Sequence, residues 1–201
     1  MLEIFLKGLS LSGGLIIAIG SQNVFLLAQG LRQQHHILVA AICACFDALF
    51  IFAGVMGLGS LIAGNPQLLF IARWGGVVYL FVFGLLALKR AFSHEQLKAE
   101  TTGHGSRNGV IAATLAVTLL NPHVYLDTVV MLGSIGAQFG EQRLIFVLGA
   151  VTASFVWFFS LGLGAARLAP YLSSPKVWKV LDIIICLVMW LIAWSLTTQG
   201  L

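Results

Sequence analysis

Two carboxylates, Asp47 and Asp127, lie inside long apolar stretches of the sequence. No lysine or arginine stands in the middle of either stretch to neutralise them. A carboxylate in such surroundings must be protonated, solvated in a cavity or paired with a bound cation. A protonated aspartate that is hydrogen-bonded to a neighbouring helix is the structural alternative for each. Two carboxylates at similar depth are better explained by a site that binds a cation, a proton or both in turn.

Asp127 ends a polar cluster in which Asn121, His123 and Tyr125 surround Pro122. The proline removes one backbone donor and disfavours helical geometry at Asn121, so carbonyl groups are freed that need protein, water or ligand as partners. We predict a functional helix break at Pro122, with a plain proline kink as the alternative. His123 lies one turn before Asp127, and histidine is the residue type that commonly exchanges protons near neutral pH, so proton transfer and simple packing at the kink both suit it.

A second polar cluster, formed by Gly20, Ser21, Gln22 and Asn23, interrupts the first apolar stretch. Glycine weakens a helix, and the other three residues supply neutral donors and acceptors. Hydrogen bonding between helices is one interpretation of this cluster. The other is a hinge at Gly20 and Ser21 beside a polar clamp, Gln22 and Asn23, that could hold the amino and carboxyl groups of an amino acid.

Composition indicates the class of protein that positions these residues. The chain is 59% hydrophobic and 9% charged, whereas soluble domains have about 25% charged residues. We predict an all-α, polytopic membrane helical bundle in one domain, residues 1–201, with about six transmembrane helices. A chain with five spans is the main alternative. The six expected spans are 8–30, 37–63, 68–92, 109–138, 144–168 and 177–198.

The hydrophilic segment 93–108 is expected to be a loop that joins two halves, residues 1–92 and 109–201. Each half opens with a span that polar residues interrupt, and three spans per half give the halves opposite orientations in the membrane. This is the plan of two inverted three-helix repeats, in which the site forms where the repeats meet. Small residues every fourth position, Ser10, Gly14 and Ala18, would let another helix approach the first span closely.

The distribution of lysine and arginine predicts the orientation. Eight of these residues fall on the side of the central loop, which is therefore expected in the cytoplasm with both termini outside: Arg32, Lys89, Arg90, Lys98, Arg107, Arg167, Lys176 and Lys179. Three fall on the other side: Lys7, Arg73 and Arg143. Because the net charge of +4 lies in these short connections, we exclude a nucleic-acid partner. Asp182, near Lys179, is expected to form an interfacial ion pair.

Several other chemistries lack the residues that they require. The segment 103–107 has neither the lysine nor the spacing of a phosphate-binding loop, so no cofactor or nucleotide is expected. The sequence contains no recognisable pair of a nucleophile and a base, so an enzyme is not indicated. Cys43, Cys45 and Cys186 fit small core side chains better than a disulfide or a metal site.

The polar clusters also resemble a known family. The motifs at 20–25, 29–33, 120–128 and 157–158, together with Asp47, are similar to those of the LysE-type amino-acid exporters and are closest to the lysine/arginine exporter (LysE/ArgO) branch. The resemblance covers nearly the whole chain. It departs at Ser21, where relatives typically carry proline.

The resemblance implies a multi-pass protein of the bacterial inner membrane, in contact with the lipid bilayer, that exports L-arginine or L-lysine. With no nucleotide motor, proton antiport is the expected coupling, and Asp47 and Asp127 would bind the substrate and protons. An exporter of neutral amino acids and a passive channel for small solutes are the alternatives. The number of subunits stays open, and a homo-oligomer is compatible with the sequence.

Overall fold

The computed structural model describes residues 1–17, 20–58, 66–92, 106–172 and 175–198. These residues form helices and no strands, which confirms the all-α class. The helices are α1 (Leu2–Ile17), α2 (Ser21–Leu31), α3 (His36–Ala53), α4 (Pro66–Phe92), α5 (Arg107–Leu119), α6 (Pro122–Val124), α7 (Leu132–Ala137), α8 (Arg143–Leu168) and α9 (Pro175–Thr198). Two π-helical segments extend α3 and join α6 to α7: Gly54–Leu58 and Tyr125–Met131.

Two continuous helical segments of the described chain are long and apolar enough to cross a membrane: His36–Gly57, with 22 residues, and Gly140–Tyr171, with 32 residues. Helices α1 and α2 pass the same test together, although their axes are inclined by 74°. The end of the predicted span 37–63 lies outside the described residues.

The helices pack in two groups. Helix α8 packs extensively against α1 and also against α3 and α2, while α4 packs against α9. The centre holds large, fully buried side chains from three of these helices, including Phe25, Leu26, Val39 and Phe158. The outward surfaces of α4 and α9 carry exposed apolar side chains such as Phe81, Leu85, Leu187 and Leu191, which suits contact with hydrocarbon. Helix α8 is therefore the scaffold on which the first span is built.

The predicted loop 93–108 is too long at its C-terminal end. Helix α5 already begins at Arg107, because Ser106 acts as its N-cap and accepts a hydrogen bond from the Gly109 amide at 3.1 Å. The rest of that loop, residues 93–105, lies outside the described part of the chain.

The small residues that were predicted to contact another helix lie on the wrong face of the first span. Ser10 and Gly14 are exposed, and Ala18 lies outside the described residues, whereas Gly8 and Ser12 are buried. A Cβ atom on Gly8 would overlap the carbonyl oxygen of Phe146 in α8. The spacing of four is correct, but a period in the sequence does not fix which row faces the neighbouring helix.

Only two of the three cysteines are core residues. Cys43 and Cys186 are buried, whereas Cys45 is exposed on α3. Cys43 and Cys45 are two residues apart on one helix and therefore point in different directions.

Candidate functional site: a cavity between two broken helices

The first polar cluster breaks the helix of the first span. Helix α2 begins at Ser21, and its N-cap residue Gly20 is extended, with φ −116° and ψ 169°. The Asn23 side chain bridges the break: its Nδ2 donates to the carbonyl of Ile16 in α1 at 2.7 Å, and its Oδ1 accepts from Nε1 of Trp157 in α8 at 3.1 Å. Asn23 thus ties both half-helices to the scaffold helix.

The second polar cluster breaks the helix of the fourth predicted span. Helix α5 ends at Leu119, and a new helix begins at Pro122. The Oδ1 of Asn121 accepts from the amide of His123 at 3.1 Å, and the Tyr125 hydroxyl donates to the carbonyl of Leu119 at 2.8 Å. The His123 amide and the Leu119 carbonyl, which would bond each other in a continuous helix, therefore find side-chain partners within the same cluster.

The two breaks are in direct contact. The Nδ2 of Asn121 donates to the Ser21 hydroxyl at 3.0 Å, and the Nε2 of Gln22 donates to Oγ1 of Thr118 at 3.1 Å. All four side chains are buried. Ser21 and Pro122 are the first residues of the helices that follow the two breaks.

A cavity of about 310 Å³ lies beside this contact. Such a volume is at the lower end of the range for small-molecule sites. Its walls combine polar residues of both breaks with apolar residues of five elements: Leu15, Ile16, Gly20, Ser21, Gln22, Asn23, Asp47, Asn121, His123, Val124, Asp127, Thr128, Leu132, Phe158, Ile192 and Ser195. Most of the residues that the sequence singled out therefore meet at one place.

The two carboxylates share this cavity. Asp47 is 2% exposed; its Oδ2 accepts from the Ser154 hydroxyl of α8 at 3.3 Å, and its Oδ1 has no hydrogen-bond partner among the described residues. Asp127 projects from the π-helical segment Tyr125–Met131 and is half-buried. No lysine or arginine occurs among the described lining residues. A buried carboxylate oxygen without a partner is costly, so the arrangement is complementary to a cation.

Two predicted residues lie elsewhere. Tyr125 is not among the described residues that line the cavity. Its ring packs against Phe50 with centroids 5.1 Å apart, and its hydroxyl donates to the Leu119 carbonyl on the other side of the break. The backbone of Pro122 starts α6 immediately before the lining residues His123 and Val124.

The predicted ion pair of Asp182 has a different partner. Its Oδ1 lies 2.6 Å from Nη2 of Arg32, at the end of α2, and the Asp182 side chain is 4% exposed. Lys179 instead places its ammonium 4.7 Å from the centre of the Phe92 ring. Sequence proximity favoured Lys179, but the close approach of α2 to α9 brings the guanidinium of Arg32 to the buried carboxylate.

The sequence did not single out several residues that build the site. Ser154 and Thr118 are polar residues in apolar spans, which is a usable signal. Ile192 and Ser195 carry no such signal, because isoleucine and serine are ordinary residues of membrane helices. Only the packing of α9 brings them to the breaks.

Comparison with known proteins identifies the family. The model of the LysE type translocator family matches residues 14–200. The chain is 46% identical over 202 residues to the arginine exporter protein ArgO of Pectobacterium carotovorum subsp. carotovorum, which covers 100% of this chain and 99% of the relative. It is 45% identical to the ArgO proteins of Salmonella schwarzengrund and Klebsiella pneumoniae, covering 100% of this chain and 96% of each. No solved structure matches the chain. The chain therefore belongs to the LysE-type translocator family, a family of transporters and not of enzymes, which confirms the resemblance of its motifs.

Proposed function

We propose that this protein exports basic amino acids, L-arginine foremost and L-lysine second, across the inner membrane of a bacterium in exchange for protons. The observation that carries the proposal is the cavity between the two breaks, which holds Asp47 and Asp127 and no basic side chain other than His123 among its described lining residues. The relatives that are named arginine exporters and match over the full chain support the same substrate.

Export of a cation needs an energy source. Moving one positive charge outward against a membrane potential costs about 2.3 kcal/mol per 100 mV. The sequence contains no nucleotide-binding motif that could supply this energy. Inward movement of protons is the remaining common source, and buried carboxylates are suitable carriers of them.

Each carboxylate can hold either a substrate cation or a proton. In the substrate-bound state Asp47 and Asp127 are ionised and pair with the cationic groups of the amino acid. On release to the outside each carboxylate takes up a proton, which neutralises it for the return through the apolar bundle. Release of those protons to the cytoplasm regenerates the ionised site. His123 also lines the cavity and would pass protons to or from Asp127.

The two breaks would act as hinges for alternating access between two inverted repeats. In such a plan α3 of the first half corresponds to α8 of the second, and α4 corresponds to α9. The packing supports the plan, because α3 packs against α8 and α4 packs against α9. Close approaches also recur: a Cβ on Gly30 of α2 would lie 2.5 Å from Ala165 in α8, and one on Gly133 of α7 would lie 2.8 Å from Gly54, which follows α3. The Asp47–Ser154 hydrogen bond joins α3 to α8.

Purified protein in proteoliposomes tests the proposal. Vesicles are loaded with labelled L-arginine, and a proton gradient directed into them is imposed. We expect saturable efflux that the gradient accelerates and that unlabelled arginine on the other side stimulates by exchange. Efflux indifferent to the gradient would exclude antiport, and linear, non-saturating flux would indicate a channel. A competition panel of lysine, ornithine and neutral amino acids measures selectivity.

A further inference from the structure

We propose that the N-terminus of α2 binds the α-carboxylate of the transported molecule while the two aspartates bind its two cationic groups, so that the cavity recognises a complete basic α-amino acid. This inference rests on the proposed function and deepens it. It assigns the negative end of the substrate to backbone amides of the first break.

The first turn of helix α2 borders the cavity. The helix has 11 residues, and its N-cap Gly20 provides no side chain to cap it. The first backbone hydrogen bond of the helix runs from the Val24 amide to the Gly20 carbonyl at 3.1 Å, so the amides of Ser21 and Gln22 have no acceptor within the helix. The side chains of Ser21 and Gln22 do not fold back to cap it, because they bond Asn121 and Thr118.

A helix N-terminus of this kind favours an anion, because its free amides and the helix dipole both carry positive potential. Gly20, Ser21 and Gln22 all line the cavity. The absence of a Cβ on Gly20 leaves room for a ligand group to approach the backbone.

An independent observation on the same cavity indicates a ligand. Asp47 is 2% exposed, and its Oδ1 has no hydrogen-bond partner among the described residues although its Oδ2 is held by Ser154. Asp127 also lines this cavity and adds a second carboxylate. The lining of the cavity therefore includes two carboxylates as well as the N-terminus of α2.

The numbers of charged groups match. A basic amino acid carries two cationic groups and one carboxylate, and the cavity offers two carboxylates and one helix N-terminus without a side-chain cap. The other N-terminus at the cavity, that of α6, is capped by Asn121, whose Oδ1 accepts from the His123 amide. A neutral amino acid would leave one aspartate without a cation. A diamine or a decarboxylated amino acid would leave the amides of α2 without an anion. Each of these mismatches leaves a desolvated polar group unpaired, which is the strongest basis for discrimination.

Competition binding on the purified full-length protein tests this assignment. Labelled L-arginine is displaced by agmatine, which lacks the carboxylate, and by L-citrulline, which lacks the side-chain charge. We expect each to bind at least about tenfold more weakly than arginine. Agmatine that competes as well as arginine would overturn the role of α2, and citrulline that competes as well would overturn the pairing of both aspartates.

A variant at the N-cap locates the carboxylate. Gly20→Asp places a negative side chain over the first amides of α2, and Gly20→Asn places a neutral side chain of the same size there. We expect Gly20→Asp to shift the ratio of arginine to agmatine affinity at least about tenfold towards agmatine, and Gly20→Asn to shift it less. An unchanged ratio in Gly20→Asp would overturn the inference.

The outcomes separate the two proposals. A protein that neither binds nor exports arginine refutes the proposed function. A protein that exports arginine but binds agmatine equally well refutes only the role of α2. Agmatine binding by both Gly20 variants serves as the control for folding, and the wild-type competition panel decides the question if a variant does not fold.

Discussion

At the scale of single residues, the two carboxylate oxygens of Asp47 have different surroundings. One carboxylate oxygen is held by Ser154 of the scaffold helix, and the other stays without a partner among the described residues. An aspartate bonded through both oxygens would be a structural residue. The division between the two oxygens is what makes Asp47 suitable for a cation that binds and leaves.

We expect Asp47→Asn and Asp127→Asn each to lower arginine transport by more than about 100-fold, because an amide cannot pair with a cation or carry a proton. Transport into or out of proteoliposomes and arginine binding are measured on protein of normal yield and elution volume. The matched control is Glu141→Gln on the exposed turn Gly140–Gln142, which should transport normally. Normal transport by both aspartate variants would remove this site from the mechanism.

Three residues predicted to bind substrate or protons use their polar atoms within the protein. The Asn121 amide bonds Ser21 and the His123 backbone, the Asn23 amide bonds Ile16 and Trp157, and the Tyr125 hydroxyl bonds Leu119. Their residue types correctly indicated that the breaks are polar. In two of these bonds, Asn121 with Ser21 and Asn23 with Trp157, the partners are more than 90 positions apart in the sequence. No local sequence pattern predicts such partners.

At the scale of helices, the first break forms without a proline. Gly20 in an extended conformation ends the continuity of the first span, and Asn23 stabilises the gap by bonding the Ile16 carbonyl of α1. Proline would enforce the break by sterics, whereas glycine only permits it. The tertiary contacts of α2 with α8 then decide that the break occurs.

The contact between α1 and α8 depends on two glycines. A Cβ on Gly8 or Gly149 would overlap the backbone carbonyl of Phe146 or Phe5, respectively. We expect Gly8→Ala and Gly149→Ala each to cost about 3 kcal/mol, which lowers the melting temperature in detergent by about 5–10 °C. The controls are Gly14→Ala and Gly164→Ala on the same helices, where a Cβ meets nothing within 4 Å and helix propensity should give a small gain. Equal melting temperatures in all four variants would contradict this packing.

The ion pair between Arg32 and Asp182 fastens the end of α2 to α9. We expect Arg32→Gln to destabilise the protein by about 2 kcal/mol, because it removes the ion-pair partner of the buried Asp182 carboxylate, and Asp182→Asn to cost less, because the Arg32 side chain is 23% exposed. The double variant should recover most of the loss, since neither charge remains. Thermal denaturation of the four proteins forms the double-mutant cycle. Additive losses in the double variant would show that the pair is not coupled.

At the scale of the whole molecule, the proposed repeats require an even number of spans. Both termini should then lie on the same side of the membrane, with the basic central loop on the opposite, cytoplasmic side. Paired reporter fusions, one active only in the cytoplasm and one only outside it, are placed at each terminus and within segment 93–105. Termini on opposite sides would show five spans and would exclude the inverted three-helix repeats.

The sequence by itself determined the class of the protein, the position of the break at Pro122 and the polar residue types gathered at both breaks. Those properties are local: burial in lipid selects apolar composition, proline and glycine interrupt helices, and carboxylates in apolar spans are costly enough to be informative. Tertiary structure alone decided that the two breaks touch through Ser21 and Asn121, that Asp47 keeps one oxygen open, and that Asp182 pairs with Arg32. Each of these depends on the phase in which one helix faces another, which the hydrophobic period of a single helix leaves undetermined.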